Sequence, residues 1–211
     1  MMNYIDSDNL ETKLRQWMKG ISPLKREYEF SGDNAALLVI DCQNYFVEIP
    51  KPDGAPILPG INRLIGKFRG AGMPVIFTRH MHKSDMTDLG MLGEWWDECI
   101  IEGTNESELH ESLGVQPDDI VIRKNRYNAF HGTDLEEILK ENRIRDVVIS
   151  GVMTNLCCET TARDAFVRDY RVWFVADATG TVSEEMHFAS LMNLSFGFAH
   201  VVSTEEIAGR M

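Results

Sequence analysis

The stretch Ala35-Ala36-Leu37-Leu38-Val39-Ile40 is six apolar residues in a row, and Asp41-Cys42-Gln43-Asn44 follows it without transition. An apolar run of strand length that does not alternate with polar residues belongs to a strand covered on both faces, as in parallel sheets. Short runs of the same kind recur at Pro74–Thr78, Asp119–Ile122, Asp146–Ser150, Val172–Ala176 and Ala199–Ser203. Amphipathic segments separate them. Ile61, Leu64, Ile65 and Phe68 recur at helical spacing, with Pro59 near the start and Gly72 just past the end, the usual start and stop residues. Further helices are predicted over Thr133–Asn142, Asn155–Asp169 and Glu184–Gly197. Strands alternating with helices, joined by right-handed crossovers, predict a Rossmann-like three-layer α/β/α sandwich on a mainly parallel sheet of roughly six strands.

Working outward, residues 1–34 read as an N-terminal appendage with a short charged helix over Leu10–Lys19, and residues 35–211 as one domain. Roughly forty residues separate the strand ending at Thr78 from the one starting near Asp119, too many for a simple connection. This stretch holds His80, His82, Trp95 and Trp96. It either closes over a small ligand or packs its tryptophans on the sheet or a neighbouring subunit. The chain has 211 residues, 44% of them hydrophobic, which is ample for a core. Its 21 basic against 33 acidic side chains leave a formal charge of −12, which repels phosphate backbones and anionic lipid. Nucleic-acid and membrane partners are therefore not expected. No stretch approaches the ~18 apolar residues of a membrane span, and the polar N-terminus does not read as a signal peptide, so a cytoplasmic location is expected. Cys42, Cys99, Cys157 and Cys158 show no CxxC spacing, which argues for reduced thiols over a disulfide scaffold or a zinc knuckle.

In open α/β sheets, ligands bind beyond the carboxyl ends of the strands, so the residues after each apolar run carry the information. Asp41 follows the first run, Lys124 the third, and Cys157 comes shortly after the fourth. Each has an ordinary alternative: a helix-capping carboxylate, a surface lysine, a small buried cysteine. Their convergence at one sheet edge is what suggests chemistry. Thr154 or Asn155 can cap a helix that places Cys157 in its first turn, where backbone N–H groups and a nearby Lys124 favour the thiolate. Asp41 can accept the thiol proton and return it to a leaving amine. Cys158 shares a small-residue helix face with Thr154, Thr161, Ala162 and Ala165 and reads as core.

The segment Gly-Val-Met-Thr-Asn-Leu-Cys-Cys-Glu-Thr-Thr-Ala-Arg-Asp-Ala, 151 to 165, resembles the nucleophile motif of the isochorismatase-like cysteine hydrolases. Asp41-Cys42-Gln43-Asn44-Tyr45-Phe46 is similar to that family's first motif, and Lys124-Asn125-Arg126-Tyr127-Asn128-Ala129-Phe130 to its lysine motif. The likeness spans roughly residues 35 to 205. The family includes nicotinamidases, N-carbamoyl amide hydrolases, biuret and ureidoacrylate hydrolases, and isochorismatases. The resemblance implies Asp41, Lys124 and Cys157 as a catalytic triad, a cis peptide between Val152 and Met153, an oxyanion hole from the N–H groups of Met153 and Cys157, and a homo-oligomer, dimer or tetramer. Nicotinamidases carry a metal on Asp-x-His plus a later His, whereas the matching stretch here is Thr78-Arg79-His80-Met81-His82 with no third histidine nearby. His80 and His82 project to the same side of an extended segment and either bind a metal weakly with Asp85 or divide into one pocket residue and one exposed residue; the leading expectation is no metal and no cofactor.

The leading expectation is cleavage of a C–N bond in a small carboxamide, ureido or N-carbamoyl compound through a thioester, with Asn44, Phe46, His82, Trp96 and Tyr127 as candidate pocket residues. One alternative is an isochorismatase-type vinyl ether hydrolase with Asp41 as the acid. Another is a non-catalytic subunit or binding module.

Overall fold

A computed structural model describes residues 4–24, 29–30, 32–48 and 55–211; Met1–Asn3 and part of the polar run after Pro23 (25–28 and 31) lie outside the described residues. Six strands form one sheet: β1 Ala35–Ile40, β2 Val75–His80, β3 Ile120–Lys124, β4 Asp146–Val152, β5 Arg171–Gly180 and β6 His200–Val202. Their order is β3-β2-β1-β4-β5-β6, and every pairing is parallel. The helices are α1 Leu10–Ile21, α2 Asn44–Glu48, α3 Leu58–Gly70, α4 Leu92–Trp95, α5 Leu135–Glu141, α6 Glu159–Val167, α7 Glu184–Gly197 and α8 Thr204–Ala208. The expected α/β/α sandwich is what the chain forms. All residues of β1 and β4 are buried, which is why these strands read as continuous apolar runs.

The topology decides where a site can form. The path β1–α3–β2 crosses the sheet in one direction and β4–α6–β5 in the other, so right-handed crossovers put α3 and α6 on opposite faces. Strand order reverses between β1 and β4, and the connections leaving their carboxyl ends diverge there, opening a crevice. The two strands pair closely, from Ala35↔Asp146 to Ile40↔Gly151. Gly151 has φ 113°, and a Cβ on it would drive into the carbonyl oxygen of Ile40. Only glycine lets the backbones meet at this point.

Several elements depart from the expected bounds. β5 runs on to Gly180, because a register shift between Ile149 and Gly151 lets Thr179 and Gly180 resume pairing with β4. β2 continues through Thr78 to His80, paired with β3 as far as Lys124. The expected helix over Asn155–Asp169 is two elements, a π-helical turn Thr154–Cys158 and then α6. The helix expected over Leu10–Lys19 extends to Ile21 and puts Trp17 and Ile21 into the common core.

The connection from β2 to β3 contains α4 and two short 3-10 turns, Asn105–Ser107 and Glu111–Leu113. Isolated bridges Gln43↔Leu109 and His82↔Ile101 stitch it to the sheet end. Asp88 anchors its near part: the carboxylate accepts from Lys83 N and Asn125 Nδ2, and its carbonyl accepts from Arg126 Nη1.

Candidate active site

Asp41 is the first residue beyond β1 and takes φ 52°, a left-handed conformation that few residues besides glycine, asparagine and aspartate adopt readily. Its amide donates to the carbonyl of Thr78, and Thr78 Oγ1 donates to Asp41 Oδ1 at 2.7 Å. The neighbouring strand thus sets both the backbone and the carboxylate. Lys124 ends β3, two strands from β1, and its long stem reaches across the end of β2. Its Nζ stands 2.6 Å from Asp41 Oδ2, with both side chains wholly buried. The same ammonium donates to Cys157 Sγ at 3.4 Å and to the Arg126 carbonyl at 3.1 Å. Three residues from three different strand ends meet around one nitrogen.

Cys157 is carried there by the turn after β4. The Val152–Met153 peptide is cis, as the resemblance implied, and the Met153 carbonyl accepts from the N–H groups of Leu156 and Cys158. Neither Thr154 nor Asn155 caps the turn, contrary to expectation, because both side chains are engaged elsewhere. Thr154 Oγ1 is hydrogen-bonded to His187 Nδ1 at 2.9 Å, and Asn155 Oδ1 accepts from Thr181 Oγ1 at 2.6 Å. The wider π turn places Cys157 at the ammonium while Cys158 is fully buried in the core, as expected of it.

Burial works against the thiolate expected at a helix start. Burial pushes the Cys157 thiol up to about 12, with the Lys124 ammonium pulling against that and the Asp41 carboxylate reinforcing it. The lysine charge is shared with Asp41, which weakens its pull on the sulfur. Burial works against the Lys124 ammonium, but Asp41 and then Cys157 outweigh it and hold its pKa above the ordinary lysine value. Burial, then Lys124, lower the His80 imidazole to about 3, so it is neutral.

Asp41, His80 and Cys157 bring ligand-type atoms within 4.8 Å of one another, the geometry of a possible metal cluster. Lys124 Nζ lies 3.4 Å from His80 Nδ1 as well as beside the other two, so an ammonium already occupies the centre of that group.

The remaining candidates fall into two sets. Trp96 Nε1 donates to Tyr127 OH at 2.7 Å, which joins the long connection to the segment after β3 through two aromatic rings. Phe46 packs partly against the core, edge-on to Tyr45. The Asn44 amide is instead pinned to Asn105, and His82 is buried with Nδ1 3.5 Å from Asp88 Oδ1, bracing the connection. Thr78 and Gln43 were not singled out from the sequence. Gln43 donates to the His80 and Ser107 carbonyls and accepts from His80 N, locking the end of β2 to the long connection. The strand-end rule that found Asp41 also points to Thr78, whereas Gln43 has no local signal.

The isochorismatase domain pattern matches residues 35–206. The chain is 50% identical to Nicotinamidase 3 of Arabidopsis thaliana over 177 residues, 82% of this chain and 86% of that protein. Among solved structures, a cysteine hydrolase from Pseudomonas syringae pv. phaseolicola 1448A superposes with a TM-score of 0.83 at 29% identity, covering 89% of this chain and 96% of the other. N-carbamoylsarcosine amidase from Thermoplasma acidophilum superposes with a TM-score of 0.70 at 26% identity, covering 82% and 97%.

Proposed function

The chain belongs to the isochorismatase domain family, and from that premise we propose that it is a cysteine hydrolase cleaving the C–N bond of a small uncharged carboxamide of the nicotinamide kind. Residues 35–211 are the catalytic domain in this reading. The observation that carries it is the placement of Lys124 Nζ against both Asp41 Oδ2 and Cys157 Sγ, with all three side chains buried.

Asp41 acts as a base while Cys157 Sγ attacks the amide carbon, and takes the sulfur's proton as the C–S bond forms. The backbone N–H groups of Met153 and Cys157 receive the oxyanion. Collapse breaks the C–N bond, and Asp41 hands its proton to the departing nitrogen, releasing ammonia and leaving a thioester. Water then attacks the thioester, Asp41 takes a proton from it, and that proton returns to sulfur as the carboxylic acid leaves. Lys124 remains an ammonium throughout, orienting Asp41 and offsetting charge at sulfur. Trp96 and Tyr127 frame the substrate ring.

Charge favours a neutral substrate over the anionic vinyl ether of the alternative reading. Arg79 is paired with Glu108, Arg123 with Glu102, Lys124 with Asp41, and Arg126 with the Asp88 and Asn125 carbonyls. The three ion-paired cations are committed, and a substrate carboxylate would have to displace a partner to reach them; Arg126, hydrogen-bonded to carbonyls, keeps its charge.

We also place the enzyme in the cytoplasm as a homo-oligomer. All four cysteines are free, as is usual in a reducing compartment. Phe166 and Val167 on α6 and Met192 and Phe196 on α7 are exposed apolar side chains that a second copy could cover. No helix among the described residues is long and apolar enough to cross a membrane.

The test is ammonia release from nicotinamide and related amides by the native chain and by Cys157→Ala. Turnover lost in a folded variant supports the reading; amide hydrolysis that survives, or pyruvate release from a vinyl ether that survives, overturns it.

A further inference from the structure

The domain match begins at residue 35, yet the segment before it reaches the nucleophile turn by two routes. In the first, Trp17 of α1 lies with its ring centroid 4.4 Å from that of His187 on α7, and His187 Nδ1 is hydrogen-bonded to Thr154 Oγ1. His187 and Thr154 are fully buried, and Tyr4 packs on the same imidazole at 5.9 Å. In the second, Tyr4 OH accepts from Thr181 N at 3.3 Å, and Thr181 Oγ1 donates to Asn155 Oδ1. Thr154 and Asn155 are the first two residues of the π turn that carries Cys157. A third contact fixes the segment itself: Glu184, at the start of α7, accepts from Trp17 Nε1 at 3.1 Å and is paired with Lys13.

We propose that the segment from Tyr4 to Ile21 is a positioning element of the active site, holding the Cys157 turn at the Lys124 ammonium through His187–Thr154 and Thr181–Asn155. The need is physical. A π turn is rare and occurs as a single turn rather than as a continuing helix, and neither Thr154 nor Asn155 caps this one. Its outer side chains are therefore fixed from outside, by groups that the N-terminal segment packs in place. Neither Tyr4 nor Trp17 touches substrate in this account. A sub-ångström shift of Cys157 relative to Asp41 lowers the rate of attack and leaves substrate affinity largely intact.

The proposal rests on the cysteine-hydrolase reading, and the experiment separates the two. Trp17→Leu and Tyr4→Phe are made in the full chain, with Ile65→Ala on α3, across the sheet from α6, as a control for general destabilisation. Two readouts are taken: kcat and KM on nicotinamide, and the rate of iodoacetamide alkylation at Cys157 resolved by mass spectrometry. Trp17→Leu is expected to lower kcat and the alkylation rate together by about 10- to 100-fold with KM within about twofold, Tyr4→Phe by about threefold, and Ile65→Ala neither. Native alkylation rates in folded Trp17→Leu and Tyr4→Phe overturn the proposal, as does an equal loss in Ile65→Ala. Should Trp17→Leu fail to fold, Tyr4→Phe, which removes one oxygen, decides alone. If the native chain does not hydrolyse nicotinamide, alkylation still reads the positioning, and the failure belongs to the amide reading.

Discussion

At the crevice between β1 and β4 the Asp41 and Lys124 side chains have no contact with water, whereas Trp95, in the connection between β2 and β3, is 75% exposed. The crevice is assembled from strand ends, and its backbone is committed: Asp41 in the left-handed region, Gly151 pressed on β1, Val152–Met153 cis. The connection is held from below by Asp88, Gln43 and two isolated bridges, and shows solvent Met86, Met91, Trp95 and Trp96. One region arranges charges in a dry place where a small displacement is costly. The other presents aromatic surface that can adapt. In the proposed reading rate belongs to the crevice and selectivity to the connection, a division that can be broken experimentally.

The largest effect is expected at the crevice. Cys157→Ala should reduce kcat by about four orders of magnitude or more while keeping the native thermal transition, measured by ammonia release and calorimetry. Next, Lys124→Met leaves the Asp41 carboxylate buried without its partner, and urea unfolding should show a loss of about 3–5 kcal/mol together with loss of turnover. Gly151→Ala has nowhere to place its methyl group and should cost a similar amount, about 4 kcal/mol, with no change in the chemistry of any side chain.

Two pH measurements sharpen the same comparison. The Cys157 thiol, pushed up to about 12, should alkylate slowly at neutral pH and faster by about tenfold per pH unit above pH 9, with no plateau near 8. A plateau near 8 would restore a resting thiolate. His187 is held neutral by burial, with its pKa lowered to about 3. The unfolded imidazole takes a proton near 6.5 and the folded one does not, so its contribution is complete above that pH. It is lost as pH falls from about 6.5 towards 3, at about 1.4 kcal/mol per pH unit, and His187→Gln should flatten this slope in unfolding curves. The smallest effect is expected in the connection: Tyr127→Phe removes one hydrogen bond to Trp96 and should raise KM by about two- to fivefold at unchanged kcat. A kcat loss there comparable with that of Lys124→Met would end the division between the two regions.

The sheet was legible because buried parallel strands leave unbroken apolar runs, and Ala35–Ile40 and Asp146–Ser150 reappear at the heart of β1 and β4. Asp41 and Lys124 were legible because ligand sites in such sheets lie at strand ends, a rule of topology that sequence order can express. The capping roles read for Thr154 and Asn155 were not realised, since their partners, His187 and Thr181, lie 33 and 26 residues away and meet them only in the folded chain. Gln43 was missed for the same reason, as its amide is satisfied by His80 and Ser107.

The sequence by itself therefore determined the layers, the strand count and the family motifs, all of which depend on local pattern. Only the tertiary structure decided the burial of Cys157, the ammonium at the centre of the Asp41–His80–Cys157 group, and the joining of the N-terminal helix to the nucleophile turn. Those depend on burial and on distances between groups far apart in the chain, and neither quantity exists until the sheet has closed around them.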